Sequence, residues 1–164
     1  MLERAAPRWT RWLYPAIAVV VVDQLSKSWI ASVLADGDRR FVTPFFNLVL
    51  AYNSGAAFSM LAHAGGWQRA LFMAIALVAS CVIIFMLRRH AADPLFCLGL
   101  SLVLGGALGN LVDRVAIGRV VDFIEVHAAG YFFPAFNAAD SAITLGAAIL
   151  IWDGLRRKSP GTPA

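Results

Sequence analysis

The sequence has few charged residues and few cysteines. Charged residues make up 15% of its 164 residues, hydrophobic residues make up 60%, and the mean hydropathy is +0.70. A soluble domain normally carries more charge than this, so the expected solvent is a lipid bilayer. The cysteines, Cys81 and Cys97, lie within apolar runs, where a packing role is the default and no disulfide is expected.

The sequence also lacks a histidine cluster and a basic patch. His63, His90 and His127 are predicted to lie on both sides of the membrane. Histidines separated in this way cannot share a zinc ion, so no metal and no cofactor are predicted. The net charge is +4, but the basic residues lie between and beyond the apolar runs, which argues against a nucleic-acid partner.

Long apolar runs are the most prominent feature of the sequence. A helix needs about 20 apolar residues to cross the hydrocarbon core of a bilayer. Runs of this kind cover about 12–34, 68–87, 95–111 and 139–155. The first run could instead be a cleaved signal peptide, but it is long and contains Asp23 and Lys27. The chain is therefore predicted to be a single, mainly α-helical membrane domain spanning 1–164.

The distribution of basic residues predicts the orientation. One predicted side holds Arg4, Arg8, Arg11, Arg88, Arg89, Arg156, Arg157 and Lys158, and the other holds Arg39, Arg40, Arg69, Arg114 and Arg119. Because cytoplasmic loops carry the excess of Lys and Arg, both termini are predicted to be cytoplasmic.

The outer segments, about 35–67 and 112–138, hold most of the remaining polar residues. In the first of them, 41–43 and 45–50 are rich in β-forming residues, which predicts a small sheet between helices 1 and 2. Residues 159–164 are predicted to be a flexible tail.

Two aspartates flank a turn-forming stretch of the second outer segment. Asp122 precedes Gly130 and Pro134, and Asp140 follows them, so the chain can fold back and bring the two carboxyl groups together. Repulsion in a poorly solvated site would favour one shared proton, leaving one acid and one base to activate water. Peptide hydrolysis requires that pairing.

Each aspartate also has a structural interpretation. Asp140 can be a first-turn acid behind an Asn137 cap, and Asp122 can be a loop acid paired with Arg119. If the two carboxyls do pair, the position of Asp140 near a helix N-terminus favours its ionised form, and Asp122 would carry the shared proton.

Polar residues inside predicted helices need a partner or a task. Asn110, Asp113 and Arg114 share one helix face, with Asp113 and Arg114 as a possible interfacial pair. Asp23 and Lys27, four residues apart, can form an ion pair.

Small residues have mainly structural interpretations. Gly105 and Gly109 can form a close helix contact. Residues 53–58 start with Asn53 and contain Gly55, so they form either a simple turn or a site that binds substrate amides.

Other classes of function remain open on the residues alone. A serine nucleophile, Ser54 or Ser141, could pair with Lys27. A proton-coupled transporter could use intramembrane aspartates, and a noncatalytic scaffold would tolerate amide substitution of Asp122 and Asp140.

The polar motifs together are more specific than any one of them. Segments 23–27, 53–58, 105–114, 121–123 and 136–141, in this order, resemble those of the signal peptidase II family of bacterial membrane aspartic peptidases. The resemblance implies four transmembrane helices, a small periplasmic β-cradle and a catalytic pair, Asp122 and Asp140. It further implies substrate-binding roles for Asn53, Asn110, Arg114 and Asn137, and structural support from Asp23, Lys27, Gly55 and Asp113.

The resemblance also implies a substrate and a location. The expected substrate is a prolipoprotein whose cysteine carries diacylglycerol, cut just before that cysteine, and the family is expected to be sensitive to globomycin-like cyclic peptides. The enzyme is expected to work as a monomer among membrane lipids of the bacterial inner membrane, with its active site at the periplasmic face.

Overall fold

A computed structural model describes residues 8–55 and 67–158, with Lys158 described by its backbone alone. Its helices are α1 (Leu13–Val33), α2 (Trp67–Arg89), α3 (Pro94–Ala116) and α4 (Ala138–Lys158), and its strands are β1 (Arg39–Thr43), β2 (Phe46–Asn53), β3 (Val120–Ala128) and β4 (Tyr131–Phe132). All four helices are long and apolar enough to cross a membrane. The predicted fold class, a four-helix membrane protein with a small sheet, is confirmed. The predictions for Arg4, 56–58, His63 and 159–164 lie outside the described residues.

Helix α3 is longer than predicted. It ends at Ala116, whereas hydrophobicity alone ended the span at residue 111. The last turns contain Asp113 and Arg114, which reduce the apolar signal without breaking the helix. The second outer segment therefore begins after Ala116, and both polar residues are fixed on a helix.

Helix α3 is also the centre of the bundle, since it packs against α1, α2 and α4. Small residues allow this packing. A Cβ atom on Gly105 would lie 2.6 Å from the carbonyl oxygen of Ala16, and one on Gly109 would lie 2.7 Å from Asp23 Oδ2. The predicted close contact through Gly105 and Gly109 is therefore present, and it joins α3 to α1.

The sheet is antiparallel, in the order β1-β2-β3-β4. Its first half matches the predicted sheet, but β3 and β4 come from the second outer segment, where the sequence predicted only a loop. Residues 120–123 are all buried, so β3 lacks the apolar–polar alternation by which a half-buried strand is recognised. Ala51 of β2 stands opposite Asp122 of β3.

The chain before α4 is attached to β3. Ile124 and Phe136 form an antiparallel bridge, with the Phe136 amide donating to the Ile124 carbonyl at 3.0 Å. This bridge folds the segment back along β3. As a result, the start of α4 lies beside Asp122.

The end of the bundle away from the sheet is basic. Arg11 donates to the Ala91 carbonyl oxygen at 3.1 Å, and Arg88 stacks on Trp9 at 5.6 Å. Residues predicted to share one side of the membrane thus lie together. We call the two ends of the molecule the sheet end and the basic end.

Candidate active site

Asp122 is a buried carboxyl group at the sheet end, with 2% of its surface exposed. Its Oδ1 accepts a hydrogen bond from the Asn137 side-chain amide at 2.7 Å, and its Oδ2 accepts one from the Asn53 amide at 3.0 Å. The loop-acid interpretation, with Arg119 as partner, is wrong, because Arg119 stacks on Tyr52 at 3.9 Å.

Burial raises the pKa of Asp122 to about 6. Loss of hydration disfavours the charged carboxylate. The hydrogen bond from Asn53 opposes the rise, the negative charge of Asp140 adds to it, and Asn137 and Lys27 lower the pKa again. Burial outweighs these stabilising contacts, so Asp122 is suited to hold a proton at mildly acidic pH.

Asp140 lies half-buried in the first turn of α4. Its Oδ1 accepts from the Asn110 amide at 2.8 Å, and its Oδ2 accepts from the backbone amide of Asn137 at 3.3 Å. Asn137 in turn accepts from the Asp140 backbone amide at 2.9 Å. This reciprocal cap matches the structural interpretation of Asp140, and it leaves the carboxylate at the positive end of the helix dipole.

Asn137 and Asn110 join the two aspartates. The Asn137 side chain is fully buried and contacts Asp122, while its backbone amide contacts Asp140. Its side-chain nitrogen also lies 3.2 Å from Asn110 Oδ1, and Asn110 binds Asp140. The structure therefore brings the two predicted carboxyl groups into one hydrogen-bonded cluster with all three of the predicted asparagines.

A second, fully buried cluster lies directly beneath this site. Lys27 Nζ is 2.7 Å from Asp23 Oδ2 and 2.9 Å from Asp113 Oδ2, and it donates to Asn110 Oδ1 at 3.0 Å. The predicted pair of Asp23 with Lys27 is confirmed. The predicted pair of Asp113 with Arg114 is wrong, because Asp113 binds the lysine on α1 instead.

The serine–lysine alternative does not fit this geometry. The contacts of Lys27 Nζ are with two carboxylates and one amide oxygen, and none of them is a serine hydroxyl. Ser141 donates to the backbone carbonyl of Asn137. Ser54 is exposed.

Arg114 and Asn53 border the site. Arg114 donates to the Asn110 carbonyl at 3.1 Å and lies over the ring of Phe72 at 5.1 Å, close enough for its charge to act on Asp122 and Asp140. Asn53 is exposed, and its Oδ1 accepts from the Gly55 amide at 2.8 Å. Gly55 has a φ of +86°, a conformation that suits glycine.

An apolar cavity of about 710 Å³ adjoins Asp140 and continues along α4. Its lining includes Phe133, Phe136, Asp140, Thr144, Leu145 and Ala148. Because Leu145 and Ala148 lie within a candidate membrane span, the cavity connects the carboxyl site with the depth expected for the hydrocarbon.

The sequence did not reveal the contacts of two polar residues, Gln24 and Glu125. Gln24 donates to Asp113 Oδ1 at 2.9 Å and to the Gly109 carbonyl at 3.2 Å. An amide inside an apolar run was the available signal. On the sheet, hydrogen bonds from Asn47 and Arg39 outweigh the effect of burial and lower the pKa of Glu125.

Together, the fold and the site define a class: a multi-pass membrane protein with paired carboxyl groups where its helices meet a small sheet. The family model described as Signal peptidase (SPase) II matches residues 15–156. The chain therefore belongs to the signal peptidase II family and is a peptidase, as the sequence motifs indicated.

Individual relatives of the chain support the same family membership. The chain is 51% identical to a lipoprotein signal peptidase of Paraburkholderia phymatum, with 89% of this chain and 88% of the relative aligned. It is 52% identical to one of Ralstonia nicotianae, over 89% and 84% of the two chains.

Solved structures show the same fold. A bacterial membrane enzyme determined by the in meso method at 2.3 Å superposes with a TM-score of 0.83 at 34% identity, covering 94% of this chain and 93% of that one. A second, determined at 1.9 Å, gives 0.81 at 34% identity, over 92% and 95%.

Proposed function

We propose that this chain removes signal peptides from diacylglyceryl-modified prolipoproteins and that Asp122 and Asp140 are its catalytic pair. The observation that carries the proposal is the hydrogen-bonded cluster in which Asn137 contacts both carboxyl groups. The two groups differ in environment, because Asp122 is buried and Asp140 lies half-buried at a helix N-terminus. Such a difference separates an acid from a base.

The environments suggest which aspartate takes which role. Asp140, held as an acceptor on both oxygens, removes a proton from water, and the resulting hydroxide attacks the carbonyl carbon before the lipidated cysteine. Asp122, with its raised pKa, donates its proton to the carbonyl oxygen. When the tetrahedral intermediate collapses, the C–N bond breaks, one of the two hydroxyl groups on carbon returns a proton to Asp122, and the proton held by Asp140 passes to the leaving amine of the cysteine.

The remaining polar residues would orient these groups and the substrate. The amides of Asn110 and Asn137 are already bound to the carboxyl groups, so their main task is to hold the pair. Asn53 also donates to Asp122, but it is exposed at the edge of the site, so it and Arg114, beside Phe72, would contact the peptide backbone.

The cavity along α4 supports a lipid-linked substrate. Its apolar wall begins at Asp140 and follows the helix through Thr144 to Ala148. An acyl chain lying there would hold the cysteine at the carboxyl pair while the chain itself stays in an apolar environment. Because the site is built within one chain, we propose that the monomer is active.

The proposed orientation follows from charge. The basic end, with Arg11, Arg88 and Arg157, faces the cytoplasm according to the positive-inside rule. The sheet end and the active site then face the periplasm of the inner membrane.

Product analysis tests this function. Purified protein is incubated with a diacylglyceryl-modified precursor and with an unlipidated precursor of the same sequence, and the products are identified by mass spectrometry. We expect cleavage of the lipidated precursor before the modified cysteine and little cleavage of the other. Cleavage at a different bond, or equal cleavage of both precursors, would contradict the proposal.

A further inference from the structure

In the part of the chain that the structure describes, Lys27 makes no direct hydrogen bond to Asp122 or Asp140, yet it is connected to both. Its ammonium group has three donors, and three acceptors surround it: Asp23 at 2.7 Å, Asp113 at 2.9 Å and Asn110 at 3.0 Å. The side chain is only 4% exposed. Its partners lie on two helices, α1 and α3.

Each carboxylate partner of Lys27 binds the backbone one residue before a member of the catalytic pair. Asp113 Oδ2 accepts from the amide of Val121, which precedes Asp122, at 3.0 Å. Asp23 Oδ1 accepts from the amide of Ala139, which precedes Asp140, at 2.9 Å. Lys27 is therefore linked through Asp113 to β3 and through Asp23 to the first turn of α4.

The third contact of Lys27 orients an amide. An ammonium group can only donate, so the oxygen of Asn110 must face Lys27, and its NH2 group must face Asp140. The observed distances agree, with Oδ1 3.0 Å from Lys27 and Nδ2 2.8 Å from Asp140. Removal of the ammonium would leave the Asn137 side-chain nitrogen, at 3.2 Å, as the remaining described donor to this oxygen, so the orientation of the amide would be less firmly held.

We propose that Lys27 is a positioning residue for the catalytic pair: through Asp23, Asp113 and Asn110 it sets the separation of Asp122 and Asp140 and the hydrogen bond to Asp140. This inference rests on the proposed function. A buried ion pair costs desolvation and is often replaceable by apolar residues without loss of stability. The three contacts of Lys27 supply a reason to keep a charge at this depth in a membrane span.

The sharpest test uses a double variant that keeps the net charge of the cluster, Lys27→Met with Asp23→Asn. Its matched control is Arg157→Met with Asp153→Asn at the basic end, another cation–aspartate pair four residues apart, with a 2.8 Å contact. Both double variants remove one cation and one carboxylate. The kcat, the KM and the thermal stability of each are measured with the lipidated precursor.

The first double variant is expected to lose about 10²-fold in kcat with little change in KM, because a shift of the order of 1 Å in catalytic groups has this effect. The control double variant is expected to keep the wild-type kcat even if its Tm falls by as much as that of the first double variant. Equal kcat values for the two at similar Tm would overturn the proposal, since Lys27 would then act only in stability.

The single variant Asp23→Asn covers the case in which the double variant does not fold. It keeps the volume of the side chain but weakens the link between Lys27 and Ala139. We expect a several-fold lower kcat at unchanged KM, and an unchanged kcat would overturn the proposal. If the wild-type protein itself fails to cleave the lipidated precursor, the proposed function fails instead, so the two failures are distinguishable.

Discussion

At the scale of single residues, the site contains three asparagines, and a hydrogen bond to the side-chain oxygen of each one orients its amide group. Asn53 accepts from the Gly55 backbone amide, Asn137 accepts from that of Asp140, and Asn110 accepts from Lys27. Each then presents its NH2 group to a carboxyl group. At Asp122, the amide donors of Asn53 and Asn137 favour the charged carboxylate and so counteract part of the effect of burial on its pKa.

The pH dependence of activity tests this balance. Because Asp122 must carry a proton to act as the acid, its pKa of about 6 predicts that kcat/KM declines above about pH 6. Removing the Asn53 amide by Asn53→Ala removes a contact that lowers the pKa, so the pKa rises and the decline moves to higher pH, by up to about one unit.

The control for this experiment is Asn47→Ala on the same strand. Asn47 binds Glu125 at 2.8 Å and not the aspartate pair. The pH at which kcat/KM declines should therefore be the same in Asn47→Ala as in the wild-type protein. If the decline of kcat/KM in Asn53→Ala stays at the wild-type pH or moves to lower pH, Asp122 does not govern the decline.

At the scale of elements, β3 and the start of α4 bring the two aspartates together. The sequence indicated that the chain folds back between them, but it did not reveal the strand that achieves this. The Ile124–Phe136 bridge depends on backbone hydrogen bonds, which leave no mark on composition. The length of helix α3 was underestimated for a related reason, since Lys27, which pairs with Asp113 near the end of the helix, lies far away in the chain.

Helix α4 carries a prediction of its own, because one of its faces lines the apolar cavity. Ala148→Phe would place a ring in this cavity, so we expect kcat/KM for the lipidated precursor to fall about tenfold or more, as for a filled hydrophobic pocket. Ala74→Phe, an exposed position on α2, is the matched control and should cleave normally. Equal rates for the two variants would mean that the acyl chain does not lie along α4.

At the scale of the whole molecule, the sequence predicted the solvent, the helices and the paired carboxyls. Long apolar runs and the cost of charge in a membrane are strong signals. The pairing of Lys27 with Asp113 could not be predicted, because it depends on which faces of α1 and α3 meet. The substrate came from the family resemblance, since no residue pattern by itself specifies diacylglycerol.

Single-turnover cleavage of the lipidated precursor tests most directly whether Asp122 and Asp140 perform the hydrolysis together. Asp122→Asn and Asp140→Asn are compared with Glu125→Gln, which neutralises another buried carboxyl on the strand of Asp122. Loss of either the acid or the base should lower the rate by at least about 10²-fold, while Glu125→Gln stays near wild type. Wild-type cleavage by either aspartate variant would contradict the account.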